Sequence, residues 1–88
     1  SLSQNYPNPF NPVTKIDFNI PSDGNVVMKV YDINGKEITT LVNEHRQSDY
    51  YTEFFNASDL ASGIYYYKLT FTSGAVKNEK TLKMAVLK

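Results

Sequence analysis

The stretch "VVMKVYDINGKEITTLV", residues 26–42, decides the fold class of this chain. Apolar side chains recur at every second position from Val26 to Val30, which is the pattern of a half-buried β-strand. Asn34 and Gly35 then separate this run from a second run of β-forming residues. Asn-Gly is a strong hairpin signal at such a place, because both residues tolerate the positive φ angles of a type I′ turn. The stretch therefore predicts two adjacent antiparallel strands.

The same period of two recurs along the rest of the chain and predicts an all-β fold. Apolar residues alternate with polar ones in most runs, so one face of each strand is expected to be buried. We expect strands at Thr14–Ile20, Val26–Ile33, Lys36–Val42, Asp49–Phe55, Ile64–Phe71 and Val76–Leu87. The residues that share the apolar face of a strand are Ile16, Phe18, Ile20, Val26, Met28, Val30, Tyr65, Tyr67, Leu69, Phe71, Leu82, Met84 and Val86.

The segments between the strands carry turn signals or polar residues. Asn43–Ser48 is predicted to be a polar loop, and Asn56–Gly63 an irregular or helical turn. The sequence does not decide which face of the fourth strand is buried, because Tyr50 and Tyr51 are consecutive aromatic residues. Short strands at intervals of about 8–12 residues predict an immunoglobulin-like antiparallel β-sandwich of about seven strands. The chain has no Cys and no Trp, so only the architecture of antibody domains is implied.

Length and composition limit the chain to one small globular domain. Its 88 residues can hold a single core, and 41% of them are hydrophobic, which argues against disorder. Nine basic and nine acidic residues are scattered and balance, so neither nucleic acid nor a membrane surface is a predicted partner. No apolar run reaches the roughly 20 residues that insert across a bilayer. Because the sequence opens at Ser1 without an initiator Met or a signal peptide, we expect a fragment of a larger chain. We also expect the domain to be a monomer.

Candidate catalytic and metal-binding residues are few. His45 is the only histidine and has no neighbouring nucleophile, so it is expected to be a solvated loop residue. The run "DINGKE" from Asp32 carries oxygen ligands at alternating positions but lacks the distal Glu of a calcium loop. Asp49 and Glu53 fall at even strand spacing and are predicted to form a solvated face rather than an acid/base couple. We therefore predict no enzyme activity, no cofactor and no metal site.

Exposed tyrosines leave other functions open. Tyr66 and one of Tyr50 or Tyr51 are expected on the surface, where aromatic rings can stack on sugars. One alternative hypothesis is therefore a carbohydrate-binding module, and another is a structural immunoglobulin-like accessory module of a secreted hydrolase. Scattered surface aromatics are normal in globular proteins, which weakens the carbohydrate hypothesis.

The segment "NYPNPFNP", residues 5–12, cannot be a central strand. Its prolines donate no backbone hydrogen bond and favour an extended conformation of the residue before them. We predict that residues 1–13 form a proline-rich strap along a sandwich that spans residues 14–88. Tyr6 and Phe10 are expected to enter the open end of the core. Receptor binding by the strap in a polyproline conformation is the less favoured alternative.

Four blocks in series resemble the C-terminal sorting domain of the type IX (Por) secretion system. The blocks are "LSQNYPNPFNPVTKIDFNIP", "VVMKVYDINGKEITTLV", "LASGIYYYKL" and "KTLKMAVLK", and they cover essentially the whole chain in the family's order. The residues that match the family's structural motifs are Tyr6, Pro7, Pro9, Phe10, Tyr31, Asp32, Gly35, Gly63, Tyr65 and Tyr67. The resemblance implies an immunoglobulin-like sandwich related to that of the flagellar hook-cap protein.

The resemblance also implies a function and partners. The domain would be a non-catalytic tail of a larger cargo protein of Gram-negative bacteria, passing through the periplasm and then through the outer-membrane translocon. Its partners would be translocon components and a sortase-like protease that removes the tail. The cargo would then be attached to the outer cell surface or released. Residues 1–13 would mark the junction with the cargo.

A folded sorting signal presents a fixed surface, so its recognition residues are expected to lie near the chain terminus. The candidates are Lys83, Met84, Val86, Leu87 and Lys88. The last strand, from Thr81 to Leu87, would also offer an edge for strand addition. In the alternative interpretation Leu82, Met84 and Val86 only complete the core, and their loss would block export by unfolding the domain.

Overall fold

Six strands in two sheets make up the computed structural model, which describes residues 1–88. The strands are β1 (Val13–Ile20), β2 (Gly24–Tyr31), β3 (Glu37–Arg46), β4 (Asp49–Asn56), β5 (Gly63–Ser73) and β6 (Val76–Val86). Strands β1 and β4 form one sheet, and the other sheet has the order β3-β2-β5-β6, with every pair antiparallel. The predicted all-β sandwich is confirmed, with six strands rather than about seven. No helix is present that is long and apolar enough to cross a membrane.

The core lies where the inward faces of the strands meet. The predicted inward residues of three strands are all buried, namely Ile16, Phe18, Ile20, Val26, Met28, Val30, Tyr65, Tyr67, Leu69 and Phe71. In β6, Met84 and Val86 are buried, and Leu82 packs against them while partly exposed. Burial of such apolar side chains stabilises the fold by about 1.5–3 kcal/mol each. The alternation in the sequence thus defines most of the core.

The faces of β4 follow from its pairing with β1. Tyr51 lies opposite Phe18, and their rings stack with centroids 5.5 Å apart. Side chains of directly opposed residues share one face, so Tyr51 faces the core together with the buried Phe55. Tyr50 and Phe54 face solvent and are 82% and 68% exposed.

The turn between β2 and β3 differs from the predicted type I′ turn. Gly35 has a φ of 83°, whereas Asn34 has no positive φ. The N–H of Gly35 donates to the carbonyl of Asp32 at 3.0 Å, and the N–H of Asp32 donates to the carbonyl of Lys36 at 2.9 Å. This is a three-residue loop that ends in a left-handed glycine. The Asp32 carboxylate favours it by accepting hydrogen bonds from the N–H groups of Asn34 and Lys36.

The predicted polar loop over Asn43–Ser48 is wrong, because β3 continues to Arg46. His45 lies opposite Asn25 of β2, and both residues are exposed. Since β3 is an edge strand, it needs only one hydrogen-bonding neighbour and can carry polar residues on both faces. The segment between β4 and β5 forms an irregular turn without a helix.

The strap (residues 1–13) is part of the sandwich, and Val13 already begins β1. Phe10 enters the core as predicted, where it is 2% exposed and its ring packs edge-on against Phe55 at 6.1 Å. The prediction for Tyr6 is wrong, because its side chain is 72% exposed. Tyr6 and Lys15 exchange two backbone hydrogen bonds of 2.9 Å, which places both side chains on the outer face of the sheet.

A buried polar cluster fixes the bend of the strap. Asn5 and Thr14 are 2% and 1% exposed, and the Asn5 side-chain amide donates to the Thr14 hydroxyl at 3.0 Å. Both side chains also donate to the carbonyl of Pro7. The Tyr67 hydroxyl accepts from the backbone N–H of Asn5 at 2.9 Å and donates to the carbonyl of Ser3 at 2.7 Å. Every buried side-chain polar atom of the domain has a partner.

Arg46 joins the two sheets at the corner between β3 and β4. Its guanidinium donates to Glu44 at 2.8 Å and to Glu53 at 2.9 Å, and its Cζ lies 4.7 Å from the ring centroid of Tyr51. Desolvation lowers the pKa of Arg46, but the hydrogen bonds to the two carboxylates outweigh it and raise the pKa above its ordinary value. Arg46 is therefore charged at every physiological pH. The prediction that Glu53 shares a solvated face with Asp49 is wrong, because Glu53 is half-buried beside Arg46.

Candidate recognition surface

The C-terminal end of β6 alternates between core and solvent. Met84 and Val86 are 1% and 2% exposed, so in the folded domain their side chains support the surface rather than form it. Lys83, Leu87 and Lys88 are exposed, and we call these three residues the terminal surface. Leu87 is 64% exposed although it is apolar. The terminal surface thus carries two exposed lysines and one exposed apolar residue.

The strap occupies the outer edge of β6 next to the terminal surface. The N–H of Phe10 donates to the carbonyl of Ala85, and the N–H of Leu87 donates to the carbonyl of Phe10, both at 3.1 Å. The N–H of Ala85 donates to the Asn8 side chain at 2.9 Å. A partner strand would have to displace the strap to pair here. The expected free edge therefore does not exist at this end of β6.

The two lysines of the terminal surface differ in their contacts. The Lys88 ammonium donates to the carbonyl of Ser58 at 2.6 Å, and the Lys88 N–H donates to the Ser62 hydroxyl at 2.9 Å. Lys83 forms no ion pair, and its backbone carbonyl accepts from the Gln4 side chain at 2.7 Å. The Lys83 ammonium is consequently free to meet an anionic group, whereas Lys88 also anchors the turn before β5.

The other motif residues have structural positions. Gly63 begins β5 opposite Val86, and the Tyr65 hydroxyl closes the preceding turn by donating to the carbonyl of Ala61 at 2.8 Å. The half-buried ring of Tyr31 lies 5.6 Å from the Lys68 ammonium. Pro7 and Pro9 are exposed parts of the strap.

The candidate metal-binding residues lie apart in the structure. No three His, Cys, Asp or Glu side chains lie close enough together to hold a metal ion. His45 is exposed on β3 rather than in a loop. The Asp32 carboxylate serves the turn between β2 and β3 as a hydrogen-bond acceptor.

The exposed aromatic residues differ in part from those expected. Tyr66 is half-buried, and Tyr50 is the exposed member of the consecutive pair. Phe54 is a further exposed aromatic that the sequence did not indicate, because Phe54 and Phe55 are consecutive and either can face inward. Tyr50 and Phe54 share the outer face of β4, with Thr52 between them.

A family model of the secretion system C-terminal sorting domain matches residues 4–84. The chain belongs to this family. The matched range of the sorting domain contains β1 to β5, most of β6 and most of the strap, so it includes Lys83 and stops before Leu87. No curated protein and no solved structure gives a significant match to the sorting domain. The resemblance to type IX sorting domains is confirmed, and the relationship to immunoglobulin-like and hook-cap folds stays a prediction.

Family membership gives the sorting domain its general role. Domains of this family are sorting signals for type IX secretion, and such signals are typically non-catalytic. The sorting domain is accordingly part of a larger cargo protein that the type IX machinery exports to the cell surface or the extracellular space.

Proposed function

We propose that the type IX translocon recognises this sorting domain through the terminal surface, Lys83, Leu87 and Lys88. The match of the sorting-domain family over residues 4–84 is the observation that carries the sorting role. The position of the strap supports recognition through side chains, because the strap already satisfies the backbone at this end of β6. Met84 and Val86 hold the terminal surface in place from the core.

The chemistry of the terminal surface indicates what its receptor presents. The Lys83 ammonium has no intramolecular partner and favours an acidic side chain on the receptor. The exposed Leu87 favours an apolar pocket, since burial of apolar surface is the main driving force of association. The receptor site is thus an apolar pocket with an acidic rim.

The remaining steps concern the cargo. The cargo crosses the periplasm with the sorting domain folded, and a sortase-like protease cuts near the strap once the translocon has been passed. The cargo is then attached to the outer surface or released. The buried positions of Leu2, Asn5 and Phe10 support a cut outside the strap, because a protease needs an extended and accessible segment.

A secretion assay with matched lysine pairs tests the terminal surface. A reporter carrying the sorting domain at its C-terminus is expressed in a bacterium with the type IX system. The test variant combines Lys83→Ala and Lys88→Ala, and the control combines Lys77→Ala and Lys80→Ala, which are exposed residues at the other end of β6. We expect the test reporter to accumulate in the periplasm and the control reporter to reach the surface.

Melting curves separate recognition from folding. The purified variants are expected to melt within a few degrees of the native domain, because surface substitutions usually change stability by less than about 0.5 kcal/mol. Normal surface delivery of the test reporter would contradict the proposal. If the test reporter stayed in the periplasm and the test variant melted at a much lower temperature, the alternative that β6 only completes the core would be favoured.

The carbohydrate hypothesis has one observation in its favour. Tyr50 and Phe54 expose their rings on the same face of β4, where aromatic residues can stack on sugars. A pull-down with insoluble polysaccharides tests this, with Tyr50→Ala and Phe54→Ala as the variants that should abolish binding. Absence of binding by the native domain would remove the hypothesis.

A further inference from the structure

The strap begins as a regular extension of the β1–β4 sheet. The Ser1 ammonium donates to the carbonyl of Asn19 at 2.9 Å, and the Asn19 N–H donates to the carbonyl of Ser1 at 3.0 Å. The N–H of Ser3 donates to the carbonyl of Asp17 at 2.9 Å. These contacts are those of an antiparallel strand on the outer edge of β1, with Ser1 and Asn19 as a hydrogen-bonded pair.

Side chains alternate along this run as they do in any strand. Leu2 is 5% exposed and faces the core opposite Phe18. Ser1 faces the outer surface, where its hydroxyl donates to the Asn19 side chain. A residue directly before Ser1 would therefore face the core and lie opposite Ile20.

An apolar groove lies at the place that such a residue would reach. The groove has a volume of about 290 Å³. Four buried apolar residues line it, Leu2, Ile20, Leu69 and Phe71, together with the polar residues Ser1, Asn19, Asn78, Glu79 and Lys80. Pro21 lines it as well and has no N–H, so the pairing with β1 cannot continue beyond this point. The groove therefore has room for one large apolar side chain at one fixed position.

We infer that the cargo residue directly before Ser1 is apolar and fills this groove, so that the end of the cargo linker completes the core of the sorting domain. The inference rests on the proposed function, in which a cargo precedes Ser1. The ammonium of Ser1 is an amide in that chain, and an amide N–H keeps the hydrogen bond to Asn19. The part of the chain that is folded and resists proteolysis then begins upstream of Ser1. The processing protease cuts upstream of that part.

Two extensions of identical composition test the groove. Gly-Ala-Leu and Gly-Leu-Ala are fused before Ser1 of the 88-residue chain, and Gly-Ala-Ala serves as the baseline. We expect Leu directly before Ser1 to raise the melting temperature by about 4–8 °C over the swapped extension, because only that position faces the core. The swapped extension should melt with the baseline. Equal melting temperatures for the two Leu extensions would overturn the inference.

Nuclear Overhauser contacts give a second readout. The methyl groups of the Leu directly before Ser1 should show contacts to the ring of Phe71, and those of the swapped Leu should not. Absence of these contacts in both extensions would overturn the inference. Because both measurements use the purified domain, a negative result leaves the sorting role untouched, and failure of the lysine assay leaves the groove assignment untouched.

Discussion

The hydroxyl of Tyr67 accepts a hydrogen bond of 2.9 Å from the backbone N–H of Asn5. The same hydroxyl donates to the carbonyl of Ser3, so one side chain satisfies two backbone groups of the strap. Tyr67 lies on β5, an inner strand of the four-stranded sheet, and is fully buried. The position of the strap is thus fixed from the centre of the domain as well as from its edges.

Tyr67→Phe should lower the free energy of unfolding by about 1–3 kcal/mol, because it leaves backbone groups of Ser3 and Asn5 without a partner. Urea unfolding followed by circular dichroism measures this change. Tyr66→Phe is the matched control, since Tyr66 is half-buried and its hydroxyl makes no hydrogen bond within the domain. Equal stability of the two variants would mean that the Tyr67 hydroxyl does not hold the strap.

The stability of the domain should fall at alkaline pH through Tyr67. Burial raises the pKa of Tyr67 above its ordinary value, and the hydrogen bond from Asn5 offsets only part of this effect. The folded state therefore keeps the proton at a pH where the unfolded chain loses it. The resulting stability is complete below about pH 10 and is lost as the pH rises through the folded pKa. Melting temperatures above pH 10 should fall more steeply for the native domain than for Tyr67→Phe, and parallel curves would contradict this assignment.

Phe10→Ala should destabilise the domain strongly, because it empties a core position between the strap and Phe55. A loss of about 3–5 kcal/mol is typical of such a substitution and is a large part of the stability of a domain of this size. Tyr6→Ala is the control in the same segment, and its exposed side chain predicts almost no change. If both variants melted with the native domain, the strap would not contribute to the core.

Arg46→Met should lower the free energy of unfolding by about 1–3 kcal/mol, since it removes hydrogen bonds to two carboxylates and leaves the half-buried Glu53 unpaired. Lys29→Met is the matched control. It breaks the ion pair of Lys29 with Glu37 at 3.0 Å, which is exposed and therefore contributes little. Chemical unfolding at low and high salt compares the two variants. A larger effect at Lys29 would show that Arg46 does not join the sheets.

Strands with one buried face could be predicted from the sequence. In β1, β2 and β5 every second residue is apolar, and only one register buries all of them. The end of β3 could not be predicted, because the pairing of His45 with Asn25 depends on backbone contacts of an exposed edge that leave no apolar pattern. The aromatic ring of Tyr6 predicts a core position, whereas the pairing of Tyr6 with Lys15 directs the side chain to the outer face of the sheet.

The terminal surface could be predicted in part. The alternation of Met84 and Val86 with Lys83 and Leu87 already indicates which of these side chains are exposed. The occupied edge of β6 could not be foreseen, because it results from contacts between Phe10 and Ala85, which are far apart in the chain. No local pattern reports such a pairing. The buried pair of Asn5 and Thr14 could not be predicted for the same reason, since the two side chains find their hydrogen-bond partners only when the strap is folded.

The pairing of Phe10 with Val86 joins the first segment of the domain to its last strand. A ribosome makes the strap before β6, so residues 1–6 can pair with β1 early, whereas Phe10 has no partner strand until β6 has been made. A chain that terminates early leaves Phe10 and the neighbouring core open to water. Closure of the strap therefore requires a complete β6, so a closed strap reports that this domain has been synthesised through its last strand.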